Sequence, residues 1–174
     1  MQITDESELI DKSLTKDTEA YGQLVDRYKQ AIYYHCFAIV RDEDMAEDMA
    51  QEAFITAYYQ LNKYDSKFKF STWLFKISTN KCLDYLRSTA KQITASEELL
   101  GGIISTEPVP HRRAEESELH EAVDQLRPQY RAVISLHYWQ GLEYNDIAMA
   151  MDAPVNSVRV WLMRAKRELR KELS

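Results

Sequence analysis

Between Asp17 and Val40, apolar residues recur at Tyr21, Leu24, Val25, Tyr28, Ile32, Cys36 and Val40. Steps of three and four put them on one stripe of a helix, a period that a strand cannot use. The spacing returns at Met45, Met49, Ala53, Phe54, Ala57, Tyr58 and Leu61, and again at Trp73, Leu74, Ile77 and Leu86. No Asn-Gly or Asp-Gly stands between alternating runs, so nothing signals a hairpin. The chain is predicted to be all-α.

Its 174 residues hold only four Gly and four Pro, and half of these fall in GGIISTEPVP, residues 101–110. Such a cluster marks a break. The surrounding stretch, 88–113, lacks sustained periodicity. We therefore expect two small helical domains, 1–88 and 115–174, joined by a flexible linker over 89–114.

Local signals place the helices. Asp17 is an N-cap for the first, the second starts near Asp44, and Ser71 or Thr72 caps the third. A short lead helix fits around Glu8 to Leu14. After the linker, Glu115 to His137 reads as helical through Leu119, Val123, Leu126, Val133, Ile134 and Leu136. Pro128 kinks it or starts a new helix there. Gly141 is a left-handed C-cap. EYNDIAMAM, the turn DAP and a final helix from Asn156 complete a helix-turn-helix pattern.

The net charge is −6, which alone argues against a polyanionic partner. Its distribution argues the other way. Residues 63–91 carry +5 and residues 159–174 carry +4, which leaves −15 for the remainder. Two basic patches in an acidic body point to nucleic acid. Charged residues are 29% and mean hydropathy is −0.50. The longest apolar run, AIYYHCFAIV, is too short to span a bilayer. No signal peptide is evident. Cys36 and Cys82 suggest neither a disulfide framework nor a zinc knuckle, and each reads as a small buried residue. A cytoplasmic protein without membrane insertion is expected.

On the final helix, Val158, Leu162, Ala165 and Leu169 share a face that can pack on Ile147, Ala148 and Met151. Asn156, Arg159, Val160, Met163, Arg167 and Arg170 lie opposite. Arginine can bond guanine edges in two places and aliphatic groups can touch thymine methyls, so this face suits a major groove. The plainer reading is an exposed C-terminal helix whose cations suit its dipole. The helix-turn-helix spacing shifts the balance toward DNA.

NKYDSKFKFSTWLFKISTNKCLDYLRS interleaves lysines with aromatics, a mixture that suits unpaired bases. Phe70 and Trp73 open an apolar stripe and read as core. Tyr64 and Phe68 stand in a polar loop, where a functional role is more plausible. Upstream, RDEDMAEDMAQEAF carries six acids and no base after its first Arg. Asp44, Asp48 and Glu52 share a face, but no second helix offers converging metal ligands. A solvated face or a docking surface for a basic partner remains. No cofactor or metal is implied. An enzyme is disfavoured for want of a nucleophile–base pair or a Gly-rich phosphate loop.

These features in this order resemble the extracytoplasmic-function (ECF) sigma factors of bacterial RNA polymerase, over about residues 17–88 and 115–171. AEDMAQEAFITAY is similar to the family's polymerase-binding helix. FSTWLFKISTNKCLDYLR is similar to its promoter-melting and −10-reading segment. LEYNDIAMAMDAPVNSVRVWLMRAKREL is similar to its −35-reading helix-turn-helix. The resemblance implies that Glu47, Asp48, Gln51 and Glu52 dock on the clamp helices of the polymerase β′ subunit, with the second domain near the β-flap. It implies a pocket for a flipped −10 base around Tyr64, Asp65, Lys67, Phe68, Asn80, Lys81 and Arg87. It assigns the −35 duplex to Asn156, Ser157, Arg159, Val160, Met163, Arg164 and Arg167. Core RNA polymerase, promoter DNA and an anti-sigma factor are the implied partners. Where the family usually reads Gly-Thr-Val-Lys/Arg-Ser-Arg-Leu, this chain reads Asn156-Ser157-Val158-Arg159-Val160-Trp161-Leu162. Its −35 preference should therefore differ. A stand-alone helix-turn-helix regulator is the alternative, but it gives the aromatic loop and Asn80 no task.

Overall fold

The computed structural model describes residues 5–100 and 118–174, and no strand occurs among them. A short lead helix, α1 (Glu6–Leu14), packs against α2 (Thr18–Val40). The carboxylate of Asp17 accepts the amides of Glu19 and Ala20 at 3.0 Å each and so starts α2. Arg41 ends α2 in the left-handed region at φ 57°. Asp42 then caps α3 (Glu43–Tyr59) by accepting the Met45 amide at 2.8 Å. Ala46, Ala50, Ala53 and Ala57 are all buried on α3, and such small side chains let its backbone approach α2 closely. A 3₁₀ turn at Leu61–Lys63 and a loop lead into α4 (Phe70–Leu100).

The second half holds α5 (Glu118–Asp124), α6 (Pro128–Ile134), a π-helical turn over Ser135–Trp139, α7 (Tyr144–Met151) and α8 (Val155–Glu172). Pro128 starts α6 and does not kink it, because a proline at the first helical position loses no hydrogen bond there. Gly141 has φ +70°, the left-handed turn expected of it.

The two halves share one apolar core. Leu24, Ile32 and Leu74 from the first half are continuous with Val133, Leu136 and Ile147 from the second. α6 packs on α2 and α7 packs on α4. Polar groups are buried at this seam too. The Arg131 guanidinium donates to the Ile39 carbonyl through Nε at 2.9 Å and Nη2 at 2.6 Å, and to the Leu126 carbonyl through Nη1 at 2.6 Å. Burial pulls Arg131 down to about 10, so it stays cationic at neutral pH. Gln140 donates to the Ala31 carbonyl at 3.3 Å, and Arg41 pairs with Asp124.

Helix boundaries differ from the sequence reading: α4 begins at Phe70, so Ser71 and Thr72 lie inside its first turn and do not cap it, and α3 is capped by Asp42, ahead of Asp44. α4 runs on to Leu100, so residues 89–100, read above as linker, are helical. They lack an apolar stripe, but they contain no Gly or Pro and extend a helix that is already nucleated. The Gly- and Pro-rich stretch at 101–110 and the expected helix start at Glu115 lie outside the described residues. Cys36 and Cys82 are free and buried, and a hydrogen bond with Cys36, together with burial, pushes the Cys82 thiol up. The plain reading of both as core residues fits.

His35 is fully buried at the seam, with Nε2 2.7 Å from the Thr79 hydroxyl and Nδ1 2.9 Å from the Ser135 hydroxyl. Burial lowers its pKa from the ordinary 6.5 to about 3. The unfolded chain therefore takes up a proton below pH 6.5 that the folded chain refuses. The stability from a neutral His35 is complete above that pH and is lost as pH falls, by up to about 1.4 kcal/mol per pH unit. Thermal melting between about pH 6.5 and pH 5 should show this slope, and His35→Asn should flatten it. An unchanged slope in the variant would refute the assignment.

Candidate polymerase and nucleic-acid interfaces

Asp152 closes α7 at φ 51°, and so takes the left-handed turn position where glycine is common. α8 follows after Pro154. Val158, Leu162 and Ala165 are buried and Leu169 half-buried, against a core that includes Ile147 and Ala148. Asn156, Arg159, Val160, Met163, Arg164 and Arg167 are exposed together, and Ser157 is half-buried at the helix start. Arg159 donates to the Asn156 side-chain oxygen at 3.3 Å. Met163 is 58% exposed among these cations. It is thus a large apolar side chain left mostly uncovered beside arginines.

Trp161 does not share that face. It is half-buried and lines a groove at the seam with Leu83, Leu86, Pro128 and Met151. It therefore faces the first half of the chain.

The aromatic loop is more ordered than its polarity suggests. The Tyr64 ring lies 5.3 Å from Phe70, edge on, and 5.4 Å from Trp73, and its hydroxyl donates to the Phe68 carbonyl at 2.6 Å. Phe70 and Trp73 are core residues. The Asp65 carboxylate accepts the Lys67 amide at 3.0 Å, which fixes the turn. Phe68 is left 44% exposed at the tip of this loop. Lys67 is exposed, as is Asn80 on α4. Lys81 is half-buried and 3.7 Å from Glu52. Arg87 pairs with Asp84 at 3.0 Å. The −10 candidates thus divide into a packed Tyr64, a turn-fixing Asp65, ion-paired Lys81 and Arg87, and an outward group of Lys67, Phe68 and Asn80.

On α3, Glu47, Asp48, Gln51 and Glu52 are all exposed, with Gln51 donating to Glu47 at 3.4 Å. Sequence reasoning missed what continues this face. Ile55 is 57% and Tyr59 73% exposed, at steps of four from Gln51. Both lie off the buried stripe of Met49, Ala53 and Ala57, and that offset was the available signal. Among the described residues no group of His, Cys, Asp or Glu could hold a metal ion. No helix there is long and apolar enough to cross a membrane.

Tyr64 and Phe68 should separate when each is replaced by Ala. Tyr64→Ala should cost about 2–4 kcal/mol of folding stability, because it hollows a cluster of three rings. Phe68→Ala should leave stability within about 0.5 kcal/mol. Denaturant melts decide, and equal costs would show the loop to be misread.

Comparison with known proteins bears on the whole chain. The Sigma-70 region 2 family model matches residues 24–92 and the Sigma-70, region 4 model matches residues 116–169. The ECF RNA polymerase sigma factor SigW of Bacillus subtilis is 33% identical over 169 residues, which are 90% of each chain. The RNA polymerase sigma-H factor of Pseudomonas aeruginosa is 31% identical over 97% of this chain and 93% of its own. The fold is shared with the sigma factor RpoE of Bartonella quintana, solved in complex with the anti-sigma factor NepR. The TM-score is 0.72 at 20% identity, over 88% of this chain and 96% of that one. With an acidic helix, an aromatic and basic loop and a basic helix-turn-helix in that order, the chain belongs to the ECF sigma factors, the transcription initiation factors that direct RNA polymerase to promoters.

Proposed function

We propose that the three outward surfaces divide the work of initiation, with residues 1–88 and 115–174 as the working domains. The α3 face of Glu47, Asp48, Gln51 and Glu52, extended by Ile55 and Tyr59, docks on the β′ clamp helices, and the second domain sits near the β-flap. Phe68, Lys67 and Asn80 take a base flipped from the −10 element, with Tyr64 and Asp65 shaping the loop and Lys81 and Arg87 beside the backbone. Asn156, Ser157, Arg159, Val160, Met163, Arg164 and Arg167 read the −35 duplex. The protein has no catalysis of its own and works in the cytoplasm. The carrying observation is that the acidic face of α3, the Phe68 loop with Asn80 and the basic face of α8 are all exposed.

A flipped base needs a ring to stack on and hydrogen bonds to its edge. Phe68 and Asn80, both exposed, have those chemistries. The −35 face pairs arginines with apolar groups, which favours direct reading over phosphate contact alone. An anti-sigma partner is proposed by likeness to Bartonella RpoE, which was solved with one.

The closed form conflicts with reading both elements at once. Elements about 25 base pairs apart are separated by roughly 85 Å of duplex. A folded chain of this length has a radius of gyration of about 16 Å and so measures about 40 Å across. The halves must separate on polymerase, which breaks the Arg131 and His35 contacts. Dyes on Gln23→Cys and Lys171→Cys, both exposed and outside the proposed docking face, should move apart when core polymerase is added. A distance that stays constant in a transcribing complex would rule out the opening.

The decisive experiment for the reading as a whole is capture of core polymerase. The isolated protein should retain it, and tight promoter binding should require the pair. Arg164→Ala should then weaken the holoenzyme on its promoter by about 1–3 kcal/mol in a sequence-dependent way. Equal loss on every duplex would move Arg164 to the phosphates. Tight, specific duplex binding by the isolated protein without any polymerase capture would overturn this division of the work.

A further inference from the structure

One titratable side chain at the seam loses half of its surroundings when the halves part. His35 stands on α2 and is fully buried in the closed form. From its own half it meets the Thr79 hydroxyl of α4, 2.7 Å from Nε2, and the edge-on Phe75 ring at 5.3 Å. From the other half it meets the Ser135 hydroxyl, 2.9 Å from Nδ1, where the π-helical turn begins. The second half therefore supplies the partner of one ring nitrogen, and its departure opens that nitrogen to water.

Nothing in the closed seam balances a charge on this ring. Burial is the one cause of its low pKa, and no carboxylate contributes to it. α6 brings Arg131, a cation already bound to the carbonyls of Ile39 and Leu126, and Ile39 is one helical turn from His35. At the end of α2, Arg41 pairs with Asp124 of α5. α4 brings the Cys82 thiol beside Cys36. The turn carries His137, whose Nδ1 is 3.1 Å from the Leu142 carbonyl. The acids of α1 and α3 are exposed, except Glu6, which accepts the Tyr28 hydroxyl.

We infer that separation of the halves is coupled to the uptake of a proton by His35, so that acidification favours the open form and its binding to polymerase. This rests on the reading that the halves part on polymerase. In the closed form the ring stays neutral down to about pH 3, whereas a ring in water regains the ordinary value of 6.5. A proton shifts such an equilibrium only by its preference for one state, and here it prefers the open one. The gain is absent well above pH 6.5 and grows as pH falls through that value. While the closed form predominates, the open fraction should grow about fourfold between pH 7.5 and pH 6.

The test titrates the full chain with core polymerase at pH 7.5 and pH 6, and dyes on Gln23→Cys and Lys171→Cys read the separation in the same samples. The affinity of the native chain should rise about fourfold relative to that of His35→Asn across this range. Calorimetry in two buffers of different ionisation heat should show the native chain taking up about three quarters of a proton on binding at pH 6, and less than about a tenth at pH 7.5. His35→Asn should abolish this uptake, with His35→Gln as the second substitution and circular dichroism checking both for folding. His120 lines a cleft beside Arg41 and Trp139, so His120→Gln is the control and should keep the full uptake. Dyes that part without proton uptake overturn the coupling and leave the opening intact. So does uptake that persists without His35 or vanishes without His120, since the proton then goes elsewhere. Dyes that never part overturn the opening itself, and the coupling with it.

Discussion

The Ile39 carbonyl receives two hydrogen bonds from one guanidinium, that of Arg131, ninety-two residues away. Ile39 lies in the last turn of α2, where carbonyls lose their helical partners and the dipole is negative. In an isolated first half, water would meet this need. Here the turn is buried by α6, so a cation from the second half takes water's place. The dry seam that results is what keeps His35 neutral between two hydroxyls. It also allows the apolar residues of both halves to form one core.

The seam explains the division of the molecular surface. Much of the apolar area faces inward, while an acidic face on α3 and a mostly basic face on α8 point outward. Trp161 belongs to the inward set. A cation at that position, as is common in the family, would be placed beside Leu83, Leu86 and Met151, with an apolar groove as its surroundings. A large ring suits that groove. The departure from the family pattern at Trp161 therefore concerns contact between halves. Val160 and Met163, by contrast, stay on the exposed side of α8.

Local features were legible in advance because their physics is local. Asp17 as an N-cap, Gly141 and Asp152 as left-handed turns, and the Val158–Leu162–Ala165 stripe all follow from residues within one or two turns. The end of α4 was not legible, because residues 89–100 carry helix-forming residues without a stripe and periodicity is silent on such a segment. The exposure of the proposed −10 residues was not legible either. Nothing in a polar loop tells that Tyr64 turns into an aromatic cluster while Phe68 turns out. Ile55 and Tyr59 were overlooked because attention went to the acids beside them.

The sequence by itself determined the helices, their order, the terminal helix-turn-helix and the segregation of charge, since period, caps and composition are properties of neighbours along the chain. Tertiary structure alone decided which groups answer one another. His35 meets Thr79 and Ser135, Arg131 meets Ile39, and Arg41 and His120 are left with an atom unanswered beside one cleft. Those pairings join residues tens to a hundred positions apart, and only the packing of one helix against another brings them within hydrogen-bond reach.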